Sequence, residues 1–314
     1  MAARRPMIDP VVPSVGLSTD VPVEILRYAC ASVQAGIATA LVTLVEIRGG
    51  SARPLGSQMV VRADGLYCGF VSGGCTESAV AAEALEALQN GQDRFLRLGE
   101  GSRLFDIVLP CGGGINLAIH RLQSARELED VICELELRRG TALRYSPASE
   151  RLSVDRRLHV ASQWDGEDFV IAYQPTTRLL VCGRSIEATA TADVARAAGI
   201  DIHLVDGQMT ASSLKSLIDP FTAVALLYHD LEREIPLLRL ALDSRPFYIG
   251  ALGSLRTHGR RIMALADYGY SEADIDRIKA PIGIFGKAKS ASSLALSIVA
   301  DVVAVRMSAK FLNL

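Results

Sequence analysis

Apolar residues at Ile25, Leu26, Ala29 and Val33 repeat at the spacing of one helix face and end at Gly36, which predicts a helix over residues 23–36. The run that follows, Ala38 to Ile47 (ATALVTLVEI), is rich in Val, Leu, Ile and Thr with little polar interruption and predicts a buried strand. After the loop GGSARPLGS, the stretch SQMVVRADGLYCGFV predicts two short strands joined at Ala63-Asp64-Gly65, because an Asp-Gly pair suits a hairpin turn. A helix is predicted from just after Cys75 to Asn90-Gly91, then strands at Arg103 to Leu109 and Ile115 to His120 on either side of PCGGG. A helix from Ala125 to Arg139 and short alternating runs complete the stretch to Gln174.

Beyond the turn-prone Gln174-Pro175-Thr176-Thr177 the rhythm changes. The runs RLLVCG, DIHLVDG, AVALLYHD and PFYIGALGS alternate with helical segments, the signature of a parallel sheet covered by helices on both faces. Ser271 and Asp274 supply an S-x-x-D helix start, and Ser290 to Met307 forms a long apolar helix that needs a partner surface, in the same chain or in a second copy. The expected fold class is therefore α/β. Residues 1–20 read as a flexible N-terminal arm, 21–175 as an α+β domain, and 176–314 as a Rossmann-like domain with a parallel sheet.

Composition narrows the function classes. The 314 residues are 49% hydrophobic and 22% charged, enough apolar material for two cores at roughly 150 residues per domain. The net charge of −2 and the scattered basic residues argue against a nucleic-acid partner. No run approaches the roughly 18 apolar residues of a membrane span, and MAARRPMIDP has no apolar stretch behind its arginines, so a cytoplasmic protein is expected. The cysteines, Cys30, Cys68, Cys75, Cys111, Cys133 and Cys182, show no CxxC pair or clustered ligand spacing; they read as free thiols rather than a zinc site.

Two regions of the second domain are candidates for ligand chemistry. Leu179 to Asp206 has the strand, turn, helix and acidic strand end of a dinucleotide unit, but Ser185 stands where close approach to a pyrophosphate requires glycine, so NAD(P) is not expected. The turn YIGALGSLRTHGRR suits an anion better: Gly250 and Gly253 allow close approach, Ser254 and Thr257 offer hydroxyls, and Arg256, Arg260 and Arg261 bring positive charge to a helix start. A tight turn with a solvated basic face is the plainer reading. His229, beside Asp230, lies where a central strand should end, the usual place for ligands in open α/β sheets.

In the first domain three glycine loops stand out. Gly49 to Gly56 contains Ser51 and Arg53; Ser72 to Glu77 contains Gly73, Gly74 and Cys75; Pro110 to Gly114 contains Cys111, Gly112 and Gly113. Converging, they would line an oxyanion pocket with thiols, and a thiol at a helix start should ionise readily. Unrelated turns with small buried cysteines are the alternative.

Several of these runs occur together in one known family. GSARPLGSQMVV, GFVSGGCTE, the CGG at 111–113, YIGALGSLRTHGRR, PIGIFG and SLALSIVADVVA resemble, in order, the xanthine dehydrogenase accessory proteins of the XdhC/CoxI family. The resemblance implies a chaperone that binds molybdenum cofactor (molybdopterin), shields it, assists its sulfuration with a cysteine desulfurase, and inserts it into a xanthine dehydrogenase-type large subunit. It also implies that Ser51, Arg53, Gly56, Gly73, Gly74, Glu77 and the CGG run contact the cofactor, with Cys75 as candidate metal ligand. In the second domain, His229 and the 250–257 turn join them. The chain departs from the family at Ala52, where proline is common, and at Gly183-Arg184-Ser185-Ile186, where the family has Gly-Ala-Gly-His. Binding and handing over is more economical than catalysis; an NAD(P)-dependent oxidoreductase and a purely protein-binding scaffold are the alternatives.

Overall fold

Strand β2 (Thr39–Arg48) explains why the first half folds as it does. Its residues point alternately to two faces, so Ala40, Val42 and Leu44 enter one core while Leu41 and Val45 enter another. A computed structural model describes residues 11–74, 76–99, 113–205, 210–285 and 288–308. By contacts the chain divides into two compact units, Met1–Gln174 and Pro175–Leu314. The strand expected at 103–109, together with Cys75, Cys111, Gly112 and Asp206, lies outside the described residues.

In the first unit β2 pairs antiparallel with β3 (Gln58–Arg62) and β6 (Gly114–Arg121). The hairpin from β3 to β4 (Leu66–Gly69) turns as expected: Gly65 takes φ +87°, and Asp64 Oδ1 accepts the Leu66 N–H at 3.2 Å. The sheet order is β1-β4-β3-β2-β6-β5. Its first strand corrects the expected arm: β1 (Ser14–Leu17) runs parallel to β4, with Ser14 opposite Leu66. Backbone pairing holds this segment although all four residues are exposed, so no hydrophobic signal marks it. The other edge, β5 (Arg94–Gly99), was not among the expected elements, although Leu96 and Leu98 alternate inward in it with two arginines and Phe95 at the other positions.

Helix α2 (Glu77–Asn90) covers one face through Val80, Ala81 and Ala84, and stops at Gly91 in the left-handed region. On the other face α1 (Pro22–Gln34) and α3 (Arg126–Glu136) share a core with a second antiparallel sheet. That sheet contains β7 (Thr141–Ser146), β8 (Arg151–Asp155), β9 (Gln163–Asp165) and β10 (Asp168–Tyr173), in the order β8-β7-β10-β9. These are the short alternating runs of the sequence.

The second unit is a parallel sheet in the order β12-β11-β13-β14-β15. Its strands are β11 (Arg178–Cys182), β12 (Asp201–Val205), β13 (Thr222–Leu226), β14 (Tyr248–Ala251) and β15 (Ile278–Lys279). Helices α4 (Ile186–Ala197) and α9 (Ala291–Met307) cover one face. Helices α5 (Ala211–Leu217), α6 (Leu231–Ser244), α7 (Leu255–Asp267) and α8 (Glu272–Ile275) supply the core on the other. The partner surface that α9 requires is thus present in its own unit, where Ala295, Ile298 and Val302 are buried. The chain leaves β11 toward β12 and later returns to β13 on the other side, so the switch point of the sheet lies between the ends of β11 and β13.

Candidate functional site

The first two glycine loops meet, and the described end of the third joins them. Strand β2 runs directly into Gly49, whose φ is +75°, and a Cβ at Gly49 would stand 3.5 Å from Gly113 Cα. A Cβ on Gly113 would reach 2.5 Å from the Arg48 carbonyl oxygen, so only glycine lets this strand end lie against the loop. Farther along the loop, a Cβ on Gly73 would be 3.5 Å from Ala52 Cβ. Arg53 Nε donates to the Ser72 carbonyl at 3.4 Å, so the Arg53 and cysteine loops are joined at that point.

Within this meeting point the expected residues take different roles. Ser51 Oγ accepts the Arg53 N–H at 3.2 Å and shapes the turn. The Arg53 guanidinium lies 5.5 Å from the Phe70 ring centroid, and its Nη1 is 2.8 Å from Asp20 Oδ2. Asp20 is 62% exposed, which leaves this ion pair open to exchange with a solvent anion. At Gly56, with φ +84°, a Cβ would collide with Ser162, so packing and backbone conformation by themselves require glycine there. Gly73 and Gly74 are exposed, and Gly74 has φ +99°.

Glu77 is engaged by the loop itself. It is 1% exposed, and its carboxylate accepts the N–H groups of Val71, Ser72 and Thr76 and the Ser72 hydroxyl. Thr76, the N-cap of α2, makes no side-chain cap bond. Its Oγ1 is buried without a partner among the described residues. The start of α2, immediately after Cys75 in sequence, thus has no N-cap side-chain bond, and the carboxylate in its first turn, Glu77, turns back onto the loop N–H groups.

The other described cysteines do not compete for this chemistry. Burial pushes the Cys30 and Cys68 thiols up to about 11, and burial together with the Glu234 charge pushes Cys182 up to about 12, so all three stay protonated. Cys133 is exposed on α3. No group of three or more His, Cys, Asp or Glu side chains that could hold a metal ion occurs among the described residues.

In the second unit a cleft of about 1000 Å³ opens at the switch point, lined among others by Arg184, Ser185, His229, Asp230 and Arg233. His229 is exposed there, and Asp230 caps α6 by accepting the Glu232 N–H at 3.0 Å. Ser185 is the N-cap of α4, accepting from Ala188 N. Glu187 follows in the first turn, and its hydrogen bond with Ser185 holds its carboxyl below the ordinary range. A capping hydroxyl and a carboxylate thus stand where a dinucleotide pyrophosphate would need open N–H groups.

The 250–257 turn is built differently from the anion loop expected of it. Gly250 is buried in β14 with its Cβ position filled by Ile282, so it serves packing. Ser254 caps α7 by accepting the Thr257 N–H at 3.3 Å, and the two hydroxyls lie 3.2 Å apart. Gly253, with φ +128°, sits against Thr257. Arg261 is fully buried in an ion pair with Glu234, which leaves Arg256 and Arg260 as the exposed cations of the turn.

Comparison with known proteins agrees with this architecture. The family described as "XdhC and CoxI family" matches residues 32–99, and the "XdhC Rossmann domain" matches residues 179–302. The molybdenum cofactor insertion chaperone PaoD of Escherichia coli (strain K12) is 50% identical over 295 residues, 94% of this chain and 92% of that protein. This chain belongs to the XdhC/CoxI family. An uncharacterized protein of the same organism, YqeB, is 25% identical over 271 residues, 86% of this chain but 44% of its own length. A Bacillus halodurans protein whose crystal structure is described as that of a xanthine dehydrogenase shares the fold, with a TM-score of 0.71, 19% identity, and coverage of 91% of this chain and 96% of its own.

Against this XdhC/CoxI background, three residues that the sequence reading passed over take part in the sites. Asp20 pairs with Arg53, Thr76 caps the cysteine-loop helix in name only, and Arg233 lines the switch-point cleft. Asp20 lies in a run, STD, that resembles an ordinary helix start, so its pairing across 33 residues carried no local signal. No helix among the described residues is long and apolar enough to cross a membrane.

Proposed function

We propose that this XdhC/CoxI protein binds molybdenum cofactor in its first unit and delivers it to a molybdenum hydroxylase of the xanthine dehydrogenase type. The observation that carries this reading is the meeting of the glycine loops: Gly49 against Gly113, and Ala52-Arg53 against Ser72-Gly73. The exposed Gly73 and Gly74 and an exchangeable arginine are suited to the oxyanions of the cofactor's phosphate and metal-bearing end. The name of the half-identical relative, a molybdenum cofactor insertion chaperone, supports the same assignment.

The reading extends to Cys75, which would face the metal-bearing end of the cargo, and to Cys111. It also places the protein in the cytoplasm as a homodimer, with a cysteine desulfurase supplying sulfur. The NAD(P) alternative is disfavoured by the Ser185 cap and the Glu187 carboxylate at the α4 start.

The test is an anaerobic equilibrium titration of the purified protein with freshly released molybdenum cofactor, alongside Cys75→Ala and Arg53→Ala. Binding by the parent, weakened at least about tenfold in each variant, is the expected result, since each removes a charged or charge-assisted contact. No binding by the parent overturns the proposal.

A further inference from the structure

We propose that the outward face of α7 is the surface on which two copies of this chain pair, with their α7 helices antiparallel about a two-fold axis. This rests on the homodimer of the proposed function and adds its surface and register.

Helix α7 is apolar on its solvent side. The inward face carries Arg261, fully buried against Glu234, with buried Leu265 beside it. The outward face carries Leu255, Ile262 and Met263, which are 74%, 42% and 70% exposed, together with exposed Gly259 and Ala266. At about 3.6 residues per turn these five positions fall in one stripe roughly 100° wide. A contiguous apolar stripe bordered by charges marks an interaction surface, whereas scattered single apolar residues do not.

Gly259 says what shape fits there. Glycine is unfavourable in a helix interior, and nothing in the chain's own packing requires it: its backbone is not left-handed, and outside the helix backbone no atom among the described residues lies within 4 Å of the place its Cβ would take. The position is a notch in the stripe, one turn before the long, projecting Met263. In a two-fold pair the same patch meets itself. Antiparallel helices whose axis of symmetry passes level with residue 261 set each Met263 into the partner's Gly259 notch.

Charge selects the same register. Arg256, Arg260 and Asp267 border the stripe along one edge, all exposed and with no hydrogen bond or ion pair among the described residues. Like edges of antiparallel helices face one another, so this edge meets its own copy. The register that seats Met263 brings Arg256 to within one residue of the level of the partner's Asp267, while Arg260 lies farther round, toward solvent. Within one helix Arg256 and Asp267 stand about 16 Å apart along the axis, too far to pair. Their complementarity arises only between copies, and it arises twice.

The experiment is sedimentation equilibrium of the full-length protein in reducing buffer over a dilution series. The parent is compared with Gly259→Lys, Arg256→Asp, Asp267→Arg and the double variant Arg256→Asp with Asp267→Arg. The parent is expected to be a dimer, and Gly259→Lys, which puts a charge in the middle of the stripe at a position with open space, to raise the dimer Kd at least about tenfold. Each single charge reversal sets like charges across the axis and also weakens the dimer, and the double variant returns toward the parent. A monomeric parent overturns the inference together with the homodimer. A dimeric parent that Gly259→Lys leaves intact overturns the inference alone, as does a double variant no tighter than its two single reversals. If Gly259→Lys fails to fold by circular dichroism, the charge-reversal set decides by the same criterion.

Discussion

Arg261 Nε donates to Glu234 Oε1 at 2.7 Å, and Arg261 Nη2 to Glu234 Oε2 at 3.0 Å, with both side chains sealed from solvent. This bidentate pair ties α7 to α6, and Arg261 Nη2 also reaches the Leu252 carbonyl after β14. Breaking a buried pair from one side leaves an uncompensated charge and costs about 3–5 kcal/mol. Glu234→Ala should lose that much in urea unfolding, while the apolar double change Glu234→Leu with Arg261→Met should recover most of it. Equal losses in the single and double variants would contradict this.

Asp93 joins the two sheets of the first unit. It accepts from Tyr145 OH at 3.0 Å and from Arg121 N at 2.9 Å, and lies 2.6 Å from His120 Nδ1. Burial alone would raise its pKa, but these hydrogen bonds and the nearby His120 charge outweigh burial and hold the carboxyl below the ordinary range. A depressed carboxyl contributes stability above its unfolded pKa of about 4 and loses it as pH falls through the folded value. Asp93→Asn should lower stability at pH 7 and flatten the stability curve below about pH 4. Chemical denaturation across that range measures both effects.

Thiol labelling separates core from surface. At pH 8 the native protein should react at Cys133 and leave Cys30, Cys68 and Cys182 unmodified, because burial keeps those three protonated. All three should label after unfolding. Native labelling of Cys182 at a rate near that of Cys133 would contradict the buried position at the end of β11.

Gly113→Ala introduces a methyl group against the Arg48 carbonyl and Gly50 backbone. Overpacking of this kind costs about 1–3 kcal/mol, and here it also displaces the loop that carries Arg53. A fall in Tm together with weaker cofactor retention is expected. Retention unchanged at parental affinity would detach the 49–56 loop from the site.

NADH should leave the melting temperature unchanged. A nucleotide present at a hundred times its Kd contributes about 2.7 kcal/mol, a shift that differential scanning fluorimetry resolves readily. A clear rise would mean that Ser185 and Glu187 do not close the α4 start to a pyrophosphate.

Local periodicity and turn chemistry account for what the chain declared in advance. The two-faced burial of β2, the Asp64-Gly65 hairpin, the Gly91 helix stop and the reciprocal Ser271–Asp274 cap each depend on residues within a few positions of one another. The alternation of strand and helix after Pro175 was enough to require a parallel sheet, and the glycine loops were visible as loops. The runs that contain them, with YIGALGSLRTHGRR, PIGIFG and SLALSIVADVVA, also carried the family resemblance.

What only the tertiary structure decided is which groups are already engaged. Arg261 looks in sequence like one more cation of a basic turn, yet Glu234, 27 residues away, removes it into the core. Gly250 and Gly56 look like ligand glycines but make room for Ile282 and Ser162. Glu77 looks like a site acid, yet its buried carboxylate accepts from Val71, Ser72 and Thr76, and β1, exposed throughout, is held by backbone pairing with β4. Sequence spacing encodes the conformation of a segment, because that conformation is set by local sterics and period. Whether a charge, a glycine or an edge remains available to a ligand depends on partners brought together from distant positions, and folding alone chooses them.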